Sequence, residues 1–261
     1  MGNRLKNAPV FYTLAQVKFN PILAMNTFIP QIQDRFRHLG YPDFKEEVAH
    51  LITLQMSNDD SSRVNTVPGA RWIFTNAELT AGLILTNDSL VYHTTSYETF
   101  DVFREHLAKG LDVINQLVGL NYTERVGMRY LDAIAPRDGE SLDLYLVPSF
   151  LGLARALNGS ALSHSFCETV LRTSLGTLVS RVVIQLGPIG LSPDLLPFRL
   201  KVDEKFAAIQ NEHAILDNDH FFEGRNKFSL VDVEKCLVGL HGDINEAFRL
   251  TATDHARSVW S

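Results

Sequence analysis

Glu124-Arg-Val-Gly-Met-Arg-Tyr-Leu-Asp-Ala-Ile134 alternates in side-chain character, and that alternation decides the fold class. Successive side chains of a strand point to opposite faces. Arg125, Gly127 and Arg129 therefore share one face, while Val126, Met128 and Tyr130 take the other and should meet helices. A second stretch of this kind lies far upstream. In Phe11-Tyr-Thr-Leu-Ala-Gln-Val-Lys-Phe19, the odd positions form one face, and Tyr12, Leu14, Gln16 and Lys18 form the other. Strands with one face packed and one polar belong to an antiparallel sheet with helices on a single side.

Each of these strands opens a similar series: strand, helix, a run of short strands, then a longer closing helix. In residues 1–120, Asn26 caps a helix whose stripe is Phe28, Ile32, Phe36 and Leu39, and Gly40 ends it. A strand over 47–56 leads to a loop from Ser57 to Ala70, then to short strands between Trp72 and Tyr92. Thr95-Ser-Tyr-Glu98 matches a capping box for a helix from Tyr97 to Val118. In residues 121–261, a short helix around Phe150–Leu157 precedes a hairpin turning at Gly176. Gly187 to Pro197, with three prolines and two glycines, reads as an excursion. Phe206 to Asp217 reads as the last strand, and Ser229 caps a closing helix running towards the C-terminus. The expectation is one α+β domain, a strongly curved antiparallel sheet with two long helices on its inner face, built from two like halves. That order of elements resembles the saddle of TATA-binding-protein-like folds, a likeness of architecture that carries no function.

Composition narrows the classes. With 45% apolar and 21% charged residues, 261 residues suffice for a core without metal or disulfide staples. The formal charge of −6 argues against wholesale phosphate neutralisation, so nucleic acid is a disfavoured partner, although a local basic patch remains open. Cys167 and Cys236 belong to no Cys-x-x-Cys spacing, which disfavours zinc and fits buried reduced thiols in a cytoplasmic protein. No secretory leader and no apolar run long enough to cross a bilayer is evident, so no membrane association is expected. The chain holds no nucleophile elbow, metalloprotease helix, P-loop or dinucleotide-binding glycine motif.

Two constellations remain. His213, Asp217, Asp219 and His220, with Glu223 nearby, could hold a divalent ion; positions 213, 217 and 219 share a strand face. The plainer alternative is a strand end entering a polar turn. Arg125 and Arg129, beside Gly127 and extended by Gln16 and Lys18, could bind a carboxylate or phosphate. The preferred alternative is that the arginines neutralise Asp217 or Asp219 across the sheet. His241 reads as a core histidine, and His38, His50, His93 and His106 show no partner pattern.

Ala8-Pro-Val-Phe-Tyr-Thr-Leu-Ala-Gln-Val-Lys-Phe-Asn-Pro21, Arg125-Val-Gly-Met-Arg-Tyr-Leu-Asp132 and Leu240-His-Gly-Asp-Ile-Asn-Glu-Ala-Phe248 carry a resemblance over nearly the whole chain. Together they resemble a sporadically distributed, functionally uncharacterised bacterial family of similar length. The resemblance implies a bacterial cytosolic protein and singles out Arg129 and Tyr130; it implies no activity. The functional expectation is a non-catalytic binding or adaptor protein, without a cofactor, acting through its sheet face or closing helix. Ligand contacts would come from Arg125, Arg129, Tyr130 and Lys18. Val259-Trp260 would dock on a partner, such as a second copy in a homodimer, or on the protein's own body. The rival is a metal-dependent or anion-processing enzyme built on His213, Asp217, Asp219 and His220.

Overall fold

The structure is a computed structural model that describes residues 7–55, 63–153, 162–195 and 200–261. Nine strands form one antiparallel sheet: β1 (Val10–Phe19), β2 (Asp43–Gln55), β3 (Arg63–Thr75), β4 (Ala81–Leu85), β5 (Ser89–Thr94), β6 (Tyr122–Ile134), β7 (His164–Arg172), β8 (Thr177–Gln185) and β9 (His213–Lys227). Their order is β2-β3-β4-β5-β1-β6-β9-β8-β7. The helices are α1 (Met25–His38), α2 (Phe100–Val118), α3 (Glu204–Ala207), α4 (Leu230–Thr251) and α5 (Asp254–Trp260). The α+β reading and the antiparallel sheet thus hold.

The two opening strands sit side by side at the centre, in antiparallel register from Tyr12↔Leu131 to Lys18↔Arg125. Their apolar faces meet α1, α2 and α4. Ala15, Val17, Phe19, Val126 and Met128 pack with Ile32 and Phe36 of α1, Leu107 and Leu111 of α2, and Leu237 and Leu240 of α4. Burial of each such large side chain is worth about 1.5–3 kcal/mol, so this layer dominates the fold's cohesion. A second cluster joins Ile134, Val182 and Leu216 to Tyr145 and Trp260. The Trp260 ring lies 5.6 Å from Phe248, so the apolar C-terminal end docks on its own body.

Several boundaries differ from the sequence expectation. The stretch from Arg63 to Ala70 belongs to β3, paired residue for residue with β2 despite Pro68 and Gly69; residues 57–62 lie outside the described residues. The cap of α2 is Thr99, whose hydroxyl accepts the Val102 N–H. Thr95 instead donates its hydroxyl to the Lys201 carbonyl at 2.6 Å. The last strand starts at His213, because Phe206 belongs to α3. The closing helix stops at Thr251, and Thr253 caps the separate α5. The expected helix around Phe150–Leu157 is preceded by a short 3-10 turn at Pro148–Phe150, and residues 154–157 lie outside the described residues. Cys167 and Cys236 are free and partly exposed.

The sheet face opposite the helices is not wholly open. The chain between β8 and β9 folds back over one end of it. Leu200 and Phe206 cover Phe11, Tyr12, Leu131 and Ile215, with Leu191 and Leu195 packed against them. The Lys201 N–H donates to the Leu79 carbonyl at 2.7 Å, which with the Thr95 bond fastens this cover to the β4–β5 side. Among the described residues, what remains uncovered is the middle of the sheet face.

Candidate functional site

The uncovered region is a groove of about 620 Å³ over β1, β3, β4, β5, β6 and β9. Its position follows from register. Lys18 on β1 pairs with Ser89 on β5 and with Arg125 on β6, and Arg125 pairs with Glu223 on β9. Arg71 lies one step beyond the Trp72–Leu85 pair of β3 and β4, opposite Thr86. A single row across the sheet therefore carries Arg71, Thr86, Ser89, Lys18, Arg125 and Glu223, and all six line the groove. The next row supplies an apolar floor from Ile84, Val91 and the methylene of Gly127.

Arg125 is fixed by a ring and an amide, and it makes no hydrogen bond to a carboxylate. Its guanidinium lies over the Phe221 ring at 4.4 Å, and Nη1 donates to Gln16 Oε1 at 2.9 Å. Asp219 and Glu223 form longer ion pairs with it, at 3.9 and 3.8 Å. Gly127 makes this pose possible, since a Cβ there would sit 2.8 Å from Arg125 Nη1 and 3.0 Å from Phe221 Cβ. Burial pushes the Asp219 carboxyl above the usual carboxylate range, and Arg125 opposes that shift.

Arg129 is a different case. It is 5% exposed and grips Asp217 through both forks, Nε to Oδ1 and Nη2 to Oδ2, each at 2.7 Å. Its Nη1 donates to Asp194 Oδ2 at 2.5 Å, on the wall of the groove. Burial works against the Arg129 charge, but the bonds to Asp217 and Asp194 outweigh it and push its pKa up. This is the internal neutralisation that the sequence suggested. At the far end of the groove, the Tyr12 hydroxyl and His93 Nδ1 are 3.1 Å apart. Burial, and then the Arg71 charge, push His93 down to about 3, so the ring is neutral at physiological pH. His93 Nε2 and Arg71 Nε are buried without a hydrogen-bond partner among the described residues.

Of the expected ligand contacts, Lys18, Arg125 and Arg129 line the groove. Tyr130 does not. It faces the helices, donates to the Tyr97 hydroxyl at 3.0 Å and is buried. The four residues suggested as a metal set do not converge. Asp217 is taken by Arg129 and Asp219 lies near Arg125. His213 contacts the Asn211 carbonyl at 3.0 Å, and by strand rise it stands about 20 Å along β9 from Asp219. His220 points to the opposite face, where its ring nitrogens meet the Leu240 carbonyl at 3.2 Å and Thr173 Oγ1 at 3.0 Å. Among the described residues, no three His, Cys, Asp or Glu side chains are grouped to hold a metal ion. His241 stacks on Phe100 at 4.1 Å, as a core histidine does.

Sequence reasoning missed Arg71, Tyr12, His93 and Asp194 as groove residues. Arg71 was hidden by assigning its surroundings to a loop, and Asp194 by the aperiodic excursion. Asp132 was missed on the other face, although the alternation of β6 places it beside Tyr130. Burial, and then the Asp217 charge, push its carboxyl up to about 7. Among the described residues no helix is long and apolar enough to cross a membrane. No protein-family model matches the chain, and no curated protein matches it.

Proposed function

We propose that this is a non-catalytic binding protein that captures a small anionic ligand in the sheet-face groove, with Arg125 and Lys18 as its first contacts. One observation carries the reading: Arg125 is held by Phe221 and Gln16, and its ion pairs with Asp219 and Glu223 are long, at 3.9 and 3.8 Å, so its N–H groups are not hydrogen-bonded to either acid. A guanidinium positioned in advance, with donors to spare, favours a carboxylate or phosphate, and Gly127 leaves the space in which that guanidinium lies. A histidine titrating near 3 is a poor proton acceptor at neutral pH, which favours recognition over catalysis at the Tyr12–His93 end.

The reading is tested by titration calorimetry of inorganic phosphate and citrate at low ionic strength. The wild-type chain is expected to bind one anion, and Arg125→Gln to weaken it at least tenfold, or about 1.4 kcal/mol. Absence of binding to the wild type, or equal binding by the variant, contradicts it.

The architecture is proposed to be a duplication in a TATA-binding-protein-like saddle, with halves at residues 1–120 and 121–261. The strand order supports this. Outward from the centre, β1 is followed by β5, β4, β3 and β2, and β6 by β9, β8 and β7, so each half places its first strand beside its last. Membership of the bacterial family described above, and residence in the cytoplasm, stand as part of the same proposal. The closing helix is the proposed surface for a protein partner or homodimer, supported by Val231 and Leu250, which are 65% and 62% exposed on α4.

A further inference from the structure

We infer that the groove is a two-ended site for an elongated dianion, one acidic group held by Lys18 and Arg125 and the other by Arg71. This rests on the anion-binding reading above and adds the shape and charge count of the ligand.

The groove's cations are unevenly compensated. Arg129 is consumed by Asp217 and Asp194, Arg125 has long ion pairs with Asp219 and Glu223, and among the described residues every acid lining the groove (Asp194, Asp219 and Glu223) lies on the β6–β9 side or on the cover. Lys18 and Arg71 make no ion pair among the described residues, and Arg71 Nε is buried without a partner there. Glu47 lies across the ladder from Arg71, but Lys45 engages it at 3.2 Å. The two cationic ends are therefore Lys18 with Arg125 at the sheet centre, and Arg71 on β3.

Three strand spacings separate β1 from β3, about 14 Å between backbones, and the long side chains shorten that span. Between the ends lie Ile84 and Val91, both half-buried, which suit a neutral or apolar body. The hydroxyls of the same row do not attract a charge of their own, because Thr86 donates to Asp88 at 2.8 Å and shares a 2.8 Å bond with Ser89. Length is bounded as well. Glu223 on β9 stands beyond Arg125 with Asp219 beside it, two carboxylates to one guanidinium, so a polyanion running past that end meets like charge. A compact single anion leaves one cationic end unused. A short molecule with an acid at each end uses both.

The test is a calorimetric series of straight-chain α,ω-dicarboxylates, from succinate to dodecanedioate, beside the monocarboxylates of equal length. Affinity is expected to peak at an intermediate length and to exceed the matching monocarboxylate at least tenfold. Arg71→Gln should bring the dicarboxylate down to the monocarboxylate level, Arg71→Lys should keep most of the advantage, and Arg125→Gln should weaken both series. Equal binding of mono- and dicarboxylates, no dependence on length, or no effect of Arg71→Gln overturns the two-ended site while phosphate and citrate still bind. Failure of every anion, phosphate and citrate included, overturns the underlying reading with it.

Discussion

Arg129→Met is expected to destabilise the fold by about 3–5 kcal/mol in chemical denaturation near neutral pH, the range for breaking a buried ion pair by removing one partner. The size follows from what stays behind. Asp217 is 4% exposed and among the described residues would keep only Arg181, whose Nη1 is 3.5 Å from Oδ2, in place of two bonds of 2.7 Å. Arg129→Lys should recover only part of the loss, since an ammonium cannot reproduce the forked pair. The pair itself is a poor investment for stability compared with apolar packing. Arg129→Met combined with Asp217→Leu is therefore expected to return close to wild type. Asp194, left without Arg129, is mostly exposed and can be hydrated. A loss below about 1 kcal/mol in the single variant would mean that Asp217 is solvated, contrary to this account.

Asp132→Asn should do the opposite, and only at higher pH. The Asp132 carboxyl is raised from 3.8 to about 7 in the folded chain, by burial first and by Asp217 second. The native state then holds the proton more tightly than the unfolded state. The resulting stability is complete below the unfolded value, declines as pH rises through that interval, and is gone above about 7. A shift of that size corresponds to about 4 kcal/mol. Asparagine has the same shape and no charge to bury. The variant should match wild type near pH ~4 and exceed it by about 4 kcal/mol near pH ~8, measured as denaturation midpoints across the range. A difference that is constant with pH would show that Asp132 does not titrate in this window.

Strict local patterns carried much of the fold. The alternation in β1 and β6 and the Ser229 cap placed those elements correctly, because each signal lies within a few residues. The errors arose where distant partners decide. β3 contains Pro68 and Gly69, and its pairing with the whole of β2 overrides those local breakers. The charged run of β9 reads as a turn by composition. It stays extended because Arg129 and Arg125 on β6 lie against Asp217 and Asp219. Thr95-Ser-Tyr-Glu98 carries the capping-box pattern, but the Lys201 carbonyl engages the Thr95 hydroxyl and Thr99 caps α2 instead.

The site was legible to the same extent. Arg125, Gly127, Gln16 and Lys18 could be assigned to one polar face by parity alone, and parity also separates His220 from Asp217 and Asp219. Arg71, His93 and Asp194 join the groove only through strand order and the cover, neither of which any short window encodes. Asp132 was missed although its parity places it on the face of Val126, Met128 and Tyr130, where an acid is out of keeping with its neighbours.

The most direct measurement is anomalous diffraction from crystals of the full chain soaked in selenate. The account predicts the strongest selenium peak in the sheet-face groove, within hydrogen-bond reach of Arg125 and Lys18 and absent in Arg125→Gln crystals. Selenate bound only at outer lysines and arginines, with the groove holding none, would contradict it.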